Sequence, residues 1–339
     1  MLSRRQFAGF LATGALAALP VVSQAKPLQF LLEKTQPTSM SAQSRLKLSK
    51  AVLDLLESHY KGMTLQFWQQ PFEQIDFEKR ITNIVYWVDL AIVEHASLFS
   101  VDPVWVMSQI MAESLFCELA ISPALAAGIC QFMPSTATKA YQMTVAGSLP
   151  AHKQPPYLAT DLAGSLDNYR DLVGQRNAYR KATSAHAHFD LSAALELLAQ
   201  GKLEQEKARE QIERQRQLNI YRDRISQASD NYVTYIETNI TELGKRDIFT
   251  YQDFFTGFDE RFTYKKPIFA MVHMLANALR VRNGNILAAA AAYNAGLGRT
   301  WTNEAIYTQY GLLPSFEETA RYISRIVVNY EEISKRFYG

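Results

Sequence analysis

One residue stands out chemically because of its neighbours. The stretch Pro103 to Cys117 (PVWVMSQIMAESLFC) is apolar nearly all round, and its only acidic or basic side chain is Glu113. Asp102-Pro103 ahead of it reads as an N-cap followed by the residue favoured at the first helical position, so a buried helix over 103–117 is predicted. At helical spacing Ile110, Phe116 and Cys117 are the three- and four-residue neighbours of Glu113, and Trp105 and Gln109 extend the same face. A carboxyl buried there without a positive partner is expensive to ionise and keeps its proton near neutral pH. Such a group can act as an acid. The alternative is a structural glutamate paired with an arginine distant in sequence.

Other reactive residue types are sparse. The only two cysteines, Cys117 and Cys130, exclude a disulfide scaffold and a zinc-ribbon ligand set. Two buried thiols are expected in preference to a disulfide, although closing so short a loop would contribute roughly 3 kcal/mol. His186-Ala187-His188 puts two imidazoles on one side of an extended segment. No third ligand is near in sequence, so a solvated loop is the simpler reading and no metal site is expected. Asp102 and Glu118 are the acids nearest to Glu113, and Asp102 is better explained as the N-cap.

The elements that must hold Glu113 are helical. A helix is predicted from Ser41 to Gly62, and a second near 77–98 with Asp76 as N-cap and a stripe of Ile81, Ile84, Val85, Val88 and Ile92. Pro123 and Gly128 mark 118–133 as a tight irregular or hairpin segment before a helix opening at Pro134. A long apolar helical region spans 267–294, broken by the Asn283-Gly284-Asn285 turn, and a last helix runs from about Phe316 to Arg336. Alternating patterns are nearly missing, so the class is mainly α with at most a small β element.

Residues 146–261 differ in character. They open with a loop around Pro150, Pro155 and Pro156, and a helical pattern then runs from Asp190 to about Leu243 with a charge-dense part at 202–217. This insert reads as a solvated helical hairpin packed on its own domain, or as a coiled-coil arm for a protein partner. The expected organisation is a signal at 1–25, a linker and N-terminal helical segment at 26–76, a core at 77–145 and 262–339, and the insert between them.

The 339 residues are 48% hydrophobic and 20% charged, a globular composition that excludes disordered and collagen-like classes. Arg4-Arg5, the uncharged stretch Phe7 to Val22 and Ser23-Gln24-Ala25 read as a cleavable export signal. Ser3-Arg4-Arg5-Gln6-Phe7 resembles the twin-arginine signal, which exports folded proteins. The apolar stretch falls short of the roughly 20 residues needed to span a bilayer, so a periplasmic, soluble product without a membrane anchor is expected. The formal net charge of +2 disappears with those two arginines, leaving no electrostatic reason to expect nucleic-acid binding.

A glutamic acid in an apolar pocket is also how lysozyme protonates a glycosidic oxygen. Glu113-Ser114, followed by Ser122-Pro123-Ala124-Leu125-Ala126-Ala127-Gly128-Ile129-Cys130-Gln131-Phe132-Met133-Pro134-Ser135-Thr136-Ala137, resembles the core of lytic transglycosylases of the soluble, goose-lysozyme-like type. Their usual form is a Glu-Ser pair followed by Gly-Leu-Met-Gln-x-Met-Pro-x-Thr-Ala. Ala291-Ala292-Tyr293-Asn294-Ala295-Gly296 with Gly298, then Glu318-Thr319-Ala320-Arg321-Tyr322-Ile323, resemble the second and third motifs of that family, in the same order. The resemblance covers about 81–143 and 262–332. Cys130 stands where Met is usual and Ile129 where Leu is usual, so the cleft wall would differ.

The resemblance implies a lysozyme-like α+β core and cleavage of the β-1,4 bond from N-acetylmuramic acid to N-acetylglucosamine in peptidoglycan glycan strands, giving a 1,6-anhydro ring, without a cofactor. Glu113 would be the single acid and base. Ser114, Ser122, Gln131, Met133, Tyr293, Asn294 and Tyr322 would bind substrate or orient the acid, while Met133 as plain core and Asn294 as a turn residue remain open alternatives. Trp105, Trp301 and Tyr310 are unranked candidates for a sugar-stacking platform. Two other functions compete: a lysozyme- or chitinase-like hydrolase on the same fold, and a non-catalytic wall-binding scaffold acting through the insert.

Overall fold

The computed structural model describes residues 29–36, 38–149, 157–184, 191–201, 205–301 and 309–339. The expected signal, the Pro150–Pro156 loop and the His186/His188 pair lie outside them. In chain order the helices are α1 (Ala42–Tyr60), α2 (Phe77–His95), α3 (Pro103–Ser114), α4 (Pro134–Tyr141), α5 (Ser165–Ala182), α6 (Leu191–Ala199), α7 (Gln205–Glu242), α8 (Gln252–Phe258), α9 (Lys265–Val281), α10 (Ile286–Ala295) and α11 (Glu317–Tyr338). The only sheet among the described residues pairs β1 (Thr64–Leu65) with β2 (Gln70–Pro71), antiparallel. The fold is mainly α, consistent with a lysozyme-like, α-rich architecture.

The chain divides into two compact units. One comprises residues up to Ser122, Ala126–Thr144 and Ile248–Gly339; the other comprises Pro123–Leu125 and Val145–Asp247. In the first unit the helix starts follow the sequence chemistry. Asp76 Oδ1 accepts from Lys79 N at 3.0 Å, Asp102 Oδ1 from Val104 N at 2.8 Å, and Asn285 Oδ1 from Leu287 N and Ala288 N at 3.1 Å each; each such cap contributes about 1 kcal/mol. Residues 30–32, expected to be linker, are docked on the turn between α9 and α10 through Leu32 N to Gly284 O at 2.9 Å and Ile286 N to Phe30 O at 3.1 Å.

The α3 helix forms the centre of this unit. Val104, Val106, Met107 and Ile110 are completely buried, each contributing roughly 1.5–3 kcal/mol by leaving water. Its main partner is α11, whose apolar face carries Tyr322, Ile326, Tyr330 and Ile333. Three polar contacts tie the two helices together along their length: Tyr330 Oη to Asp102 Oδ2 at 2.9 Å, Asn329 Nδ2 to Ser108 O at 3.2 Å, and Tyr322 Oη to Glu113 Oε1 at 2.6 Å. The predicted helix over 103–117 is three residues too long. Leu115 and Phe116 have φ of 50° and 60°, left-handed values that end the helix directly after Glu113-Ser114, so Phe116 and Cys117 are not helical neighbours of Glu113.

At the end of α2, the ring of His95 lies 5.1 Å from that of His273 (α9), and Tyr141 Oη sits 3.1 Å from His273 Nδ1. Burial and the neighbouring His273 hold the His95 imidazole below its ordinary range.

In the second unit, α5 packs on α7 as a helical hairpin. Tyr232 donates to Ala146 O at 2.9 Å and Asn239 Nδ2 to Leu158 O at 3.0 Å. The helical run expected from 190 to 243 is two helices, α6 and α7. This unit closes at Asp247, earlier than the expected 261, because Ile248, Phe255, Phe258 and Phe262 are buried in the first unit.

Candidate active site

All the residues described next belong to the first unit. Glu113 lies in the last turn of α3 and is half-buried. Tyr322, 2% exposed, donates its hydroxyl to Glu113 Oε1. Burial, and after it the Glu113 charge, pushes the Tyr322 phenol well above its usual range, so it stays a donor across working pH. The Tyr293 phenol is pushed up by burial and by the charges of Cys130, Glu113 and Tyr322. The third motif therefore touches the acid of the first through Tyr322, and the second contributes Tyr293 to the same buried surroundings.

The segment after α3 is a tight double turn. Gly128 has φ +78°, and a Cβ there would lie 1.7 Å from Arg261 O, so only glycine fits. Isolated bridges join Ile121 to Ala127 and Ala127 to Phe132. Beneath it, Arg261 and Asp259, both fully buried, form a two-pronged ion pair, with Nε to Oδ1 at 2.9 Å and Nη2 to Oδ2 at 2.7 Å. Arg261 Nη1 also donates to Phe132 O at 3.2 Å. Tyr293 Oη donates to Cys130 O at 2.6 Å, which ties α10 to the same segment.

Several expected site residues have other work. Ser114 is fully buried, and its hydroxyl donates to Ile129 O at 2.9 Å, which joins α3 to the double turn. Ser122 Oγ accepts from Ala126 N at 3.1 Å, and Gln131 Nε2 donates to Ala120 O at 3.2 Å and Gly128 O at 2.9 Å. Both are half-buried and brace the turn. Met133 is half-buried at the N-cap of α4. Asn294 is exposed, and its Oδ1 accepts from Thr319 Oγ1 at 2.8 Å, which joins the second motif to the third. Cys117 and Cys130 are separate buried thiols; burial and Glu113 raise the Cys130 thiol well above its usual range.

The neighbouring acids are engaged elsewhere. Asp102 caps α3 and receives Tyr330. Glu118, 1% exposed, is gripped by Arg80 at 2.9 and 3.0 Å, while burial pushes its carboxyl up and Arg80 opposes this. Of the aromatic candidates, Trp105 is buried and packs on Tyr330 with ring centroids 5.8 Å apart, so it is no platform. Trp301 is 56% exposed and Tyr310 37%.

Residues 91–165 match the family model of the transglycosylase SLT domain. No curated protein and no solved structure gives a match. The SLT match contains Glu113-Ser114 and the 122–137 run and ends before the second and third motifs; the third meets Glu113 through Tyr322, and the second meets the 122–137 run through Tyr293 and Cys130 O. It is consistent with a soluble lytic transglycosylase family and supports a peptidoglycan-degrading function in general. No helix among the described residues is long and apolar enough to cross a membrane.

Sequence reasoning missed the supports lying outside the SLT match. Trp68, in the β1–β2 hairpin, donates its indole N–H to Leu115 O at 3.1 Å, and Cys117 Sγ donates to Phe67 O at 3.3 Å. Both hold the exit of α3. Arg80 and Arg261 were also missed; an arginine within the aromatic stretch FDERF was the one available signal for the latter.

Proposed function

We propose that this protein cleaves the β-1,4 bond between N-acetylmuramic acid and N-acetylglucosamine in peptidoglycan by the lytic route, with Glu113 as its single acid and base. Neutral Glu113 gives its proton to the leaving O4 of N-acetylglucosamine as the bond from C1 of N-acetylmuramic acid breaks. The resulting carboxylate takes the proton of that sugar's C6 hydroxyl as O6 bonds to C1, closing the 1,6-anhydro ring and returning the acid to its starting state. No water is consumed. Hydrolysis by two carboxylates would need a second acid about 5–9.5 Å away.

The observation that carries this reading is the division of labour among the acids. Asp102 and Glu118, nearest to Glu113 in sequence, are committed to a helix cap and to Arg80, whereas half-buried Glu113 receives Tyr322. Exposed Trp301, just beyond the second motif, is the better-placed candidate for stacking on a sugar ring. The reading also places the protein in the periplasm after export through its Arg4-Arg5 leader, with the 190–243 helices as the segment that would engage a protein partner.

Digestion of purified sacculi tests it. The products should lack a reducing end and be one water lighter than hydrolytic ones, and Glu113→Gln should abolish their release. Hydrated products would instead establish a hydrolase, and an inactive wild type that still binds sacculi would establish a scaffold.

A further inference from the structure

Arg282 closes α9 and is 2% exposed. By contrast with buried Arg261, matched by Asp259, and part-buried Arg80, matched by Glu118, it has no carboxylate within ion-pair reach among the described residues. Burial alone acts on its guanidinium and holds it below the ordinary range. A buried cation without a counter-ion is expensive. Packing alone does not account for it, since an apolar side chain would fill the same space at lower cost.

The donors of Arg282 go to one short segment. Nε donates to Thr300 Oγ1 and Nη2 to Leu297 O, both at 2.9 Å, and Thr300 Oγ1 donates on to Leu297 O at 2.8 Å. These bonds fix the single turn Leu297–Thr300 that follows the second motif. The next residue is Trp301, whose ring centroid lies 5.9 Å from the guanidinium carbon, within the range of a cation over an aromatic face. Room for the arginine comes from Gly311, where φ is +72° and a Cβ would lie 2.6 Å from Arg282 Cδ. Leu312 N donates to Thr300 O at 3.1 Å and ties the chain beyond to the same turn. Trp301 itself stays 56% exposed.

We propose that Arg282 is a positioning residue for a glycan platform: its planar fork fixes the turn ahead of Trp301 and its charge seats the indole, so that the exposed part of the ring is presented to a sugar of the substrate. A guanidinium suits this task because it bonds acceptors in its plane while its face lies on a ring. The freedom of Trp301 is then lost on folding instead of on binding, which favours affinity. The inference rests on the reading of this protein as one that acts on glycan strands, and it concerns affinity, not the proton transfer at Glu113.

The test reads kcat and KM on sacculus digestion, and separately the binding of purified sacculi by the full chain carrying Glu113→Gln. Trp301→Ala should weaken binding and raise KM roughly three- to tenfold with kcat within about twofold, the mark of an interaction made equally with substrate and transition state. Arg282→Met, which keeps much of the side-chain length and removes the donors, should shift both in the same direction by a smaller factor. Added to Trp301→Ala, it should change binding by less than about twofold, because the ring it seats is gone. Thr300→Val, which removes the acceptor of Nε, should give the same pattern, and it serves if Arg282→Met does not fold. Wild-type binding in Arg282→Met, or a loss repeated in full in the Trp301→Ala background, overturns the proposal while leaving Glu113 as the acid. Full digestion by Glu113→Gln would remove the acid assignment, and the binding results would still decide the platform.

Discussion

The indole N–H of Trp68 donates to the carbonyl of Leu115 at 3.1 Å, two residues past Glu113. Together with Cys117 Sγ to Phe67 O, this contact ties the N-terminal region, outside the SLT match, to the point where α3 stops. Leu115 is buried and left-handed, so its carbonyl depends on such a donor. Trp68→Phe keeps the aromatic packing on Phe77 and removes the bond. We expect a loss of about 1–3 kcal/mol in denaturant unfolding and a lower rate of sacculus digestion; unchanged unfolding would show that water replaces the indole at no cost.

Arg80 and Glu118 show how a buried pair constrains substitution. Removing one partner leaves an uncompensated buried charge, which typically costs about 3–5 kcal/mol. Arg80→Met should therefore lower stability by that order, while Arg80→Met with Glu118→Leu should recover much of it. Calorimetry on the wild type and the two variants reads this directly, and equal losses in the single and double variants would refute it.

Gly128 allows a third test. An alanine there must adopt φ near +78° and place its Cβ 1.7 Å from Arg261 O. The left-handed conformation alone costs about 1–2 kcal/mol, and the collision must push the double turn away from Arg261. Gly128→Ala should thus lose activity at temperatures where it remains folded, since Gln131 and Cys130 move with the turn; near-UV circular dichroism beside digestion assays separates the two effects.

The paired imidazoles of His95 and His273 predict an acid-sensitive stability. Facing His95 are His273, Glu94 and the Phe269 carbonyl, with Tyr141 beyond His273. Because His95 is held below its ordinary 6.5, the folded state favours the neutral ring. Its contribution is present above that value and is lost as the pH falls through the lowered one. The unfolding midpoint should drop between about pH 7 and pH 5, and His95→Phe should drop less; parallel pH dependence in the two proteins would assign the acid sensitivity elsewhere.

What could be read in advance was mostly local. Asp102-Pro103 and the Asn285 turn announced two helix starts because capping is decided within four residues, and Glu113 announced itself because a lone carboxylate in an apolar helix is rare. The end of α3 was misplaced: nothing in SLFC signals two successive left-handed residues, which are imposed by Ser114 reaching Ile129 and Trp68 reaching Leu115. The Ser114 contact was hidden for the same reason, since its partner, the Ile129 carbonyl, is backbone and has no sequence signature. Gln109 was visible only as an amide on the acid's face, and its orientation is set by the Trp105 indole N–H, whereas the Tyr322 hydroxyl that meets Glu113 comes from more than two hundred residues further along the chain.

Asp102–Tyr330, Ser108–Asn329 and Glu113–Tyr322 work as three rungs between α3 and α11, and they share one register. Sliding α11 by a single residue would break all three at once, so the hydroxyl beside the acid cannot drift by small steps or be lost through fraying of one end. As the protein is warmed, that hydroxyl should stay in place until the two helices separate outright, and activity should then disappear in one step instead of fading.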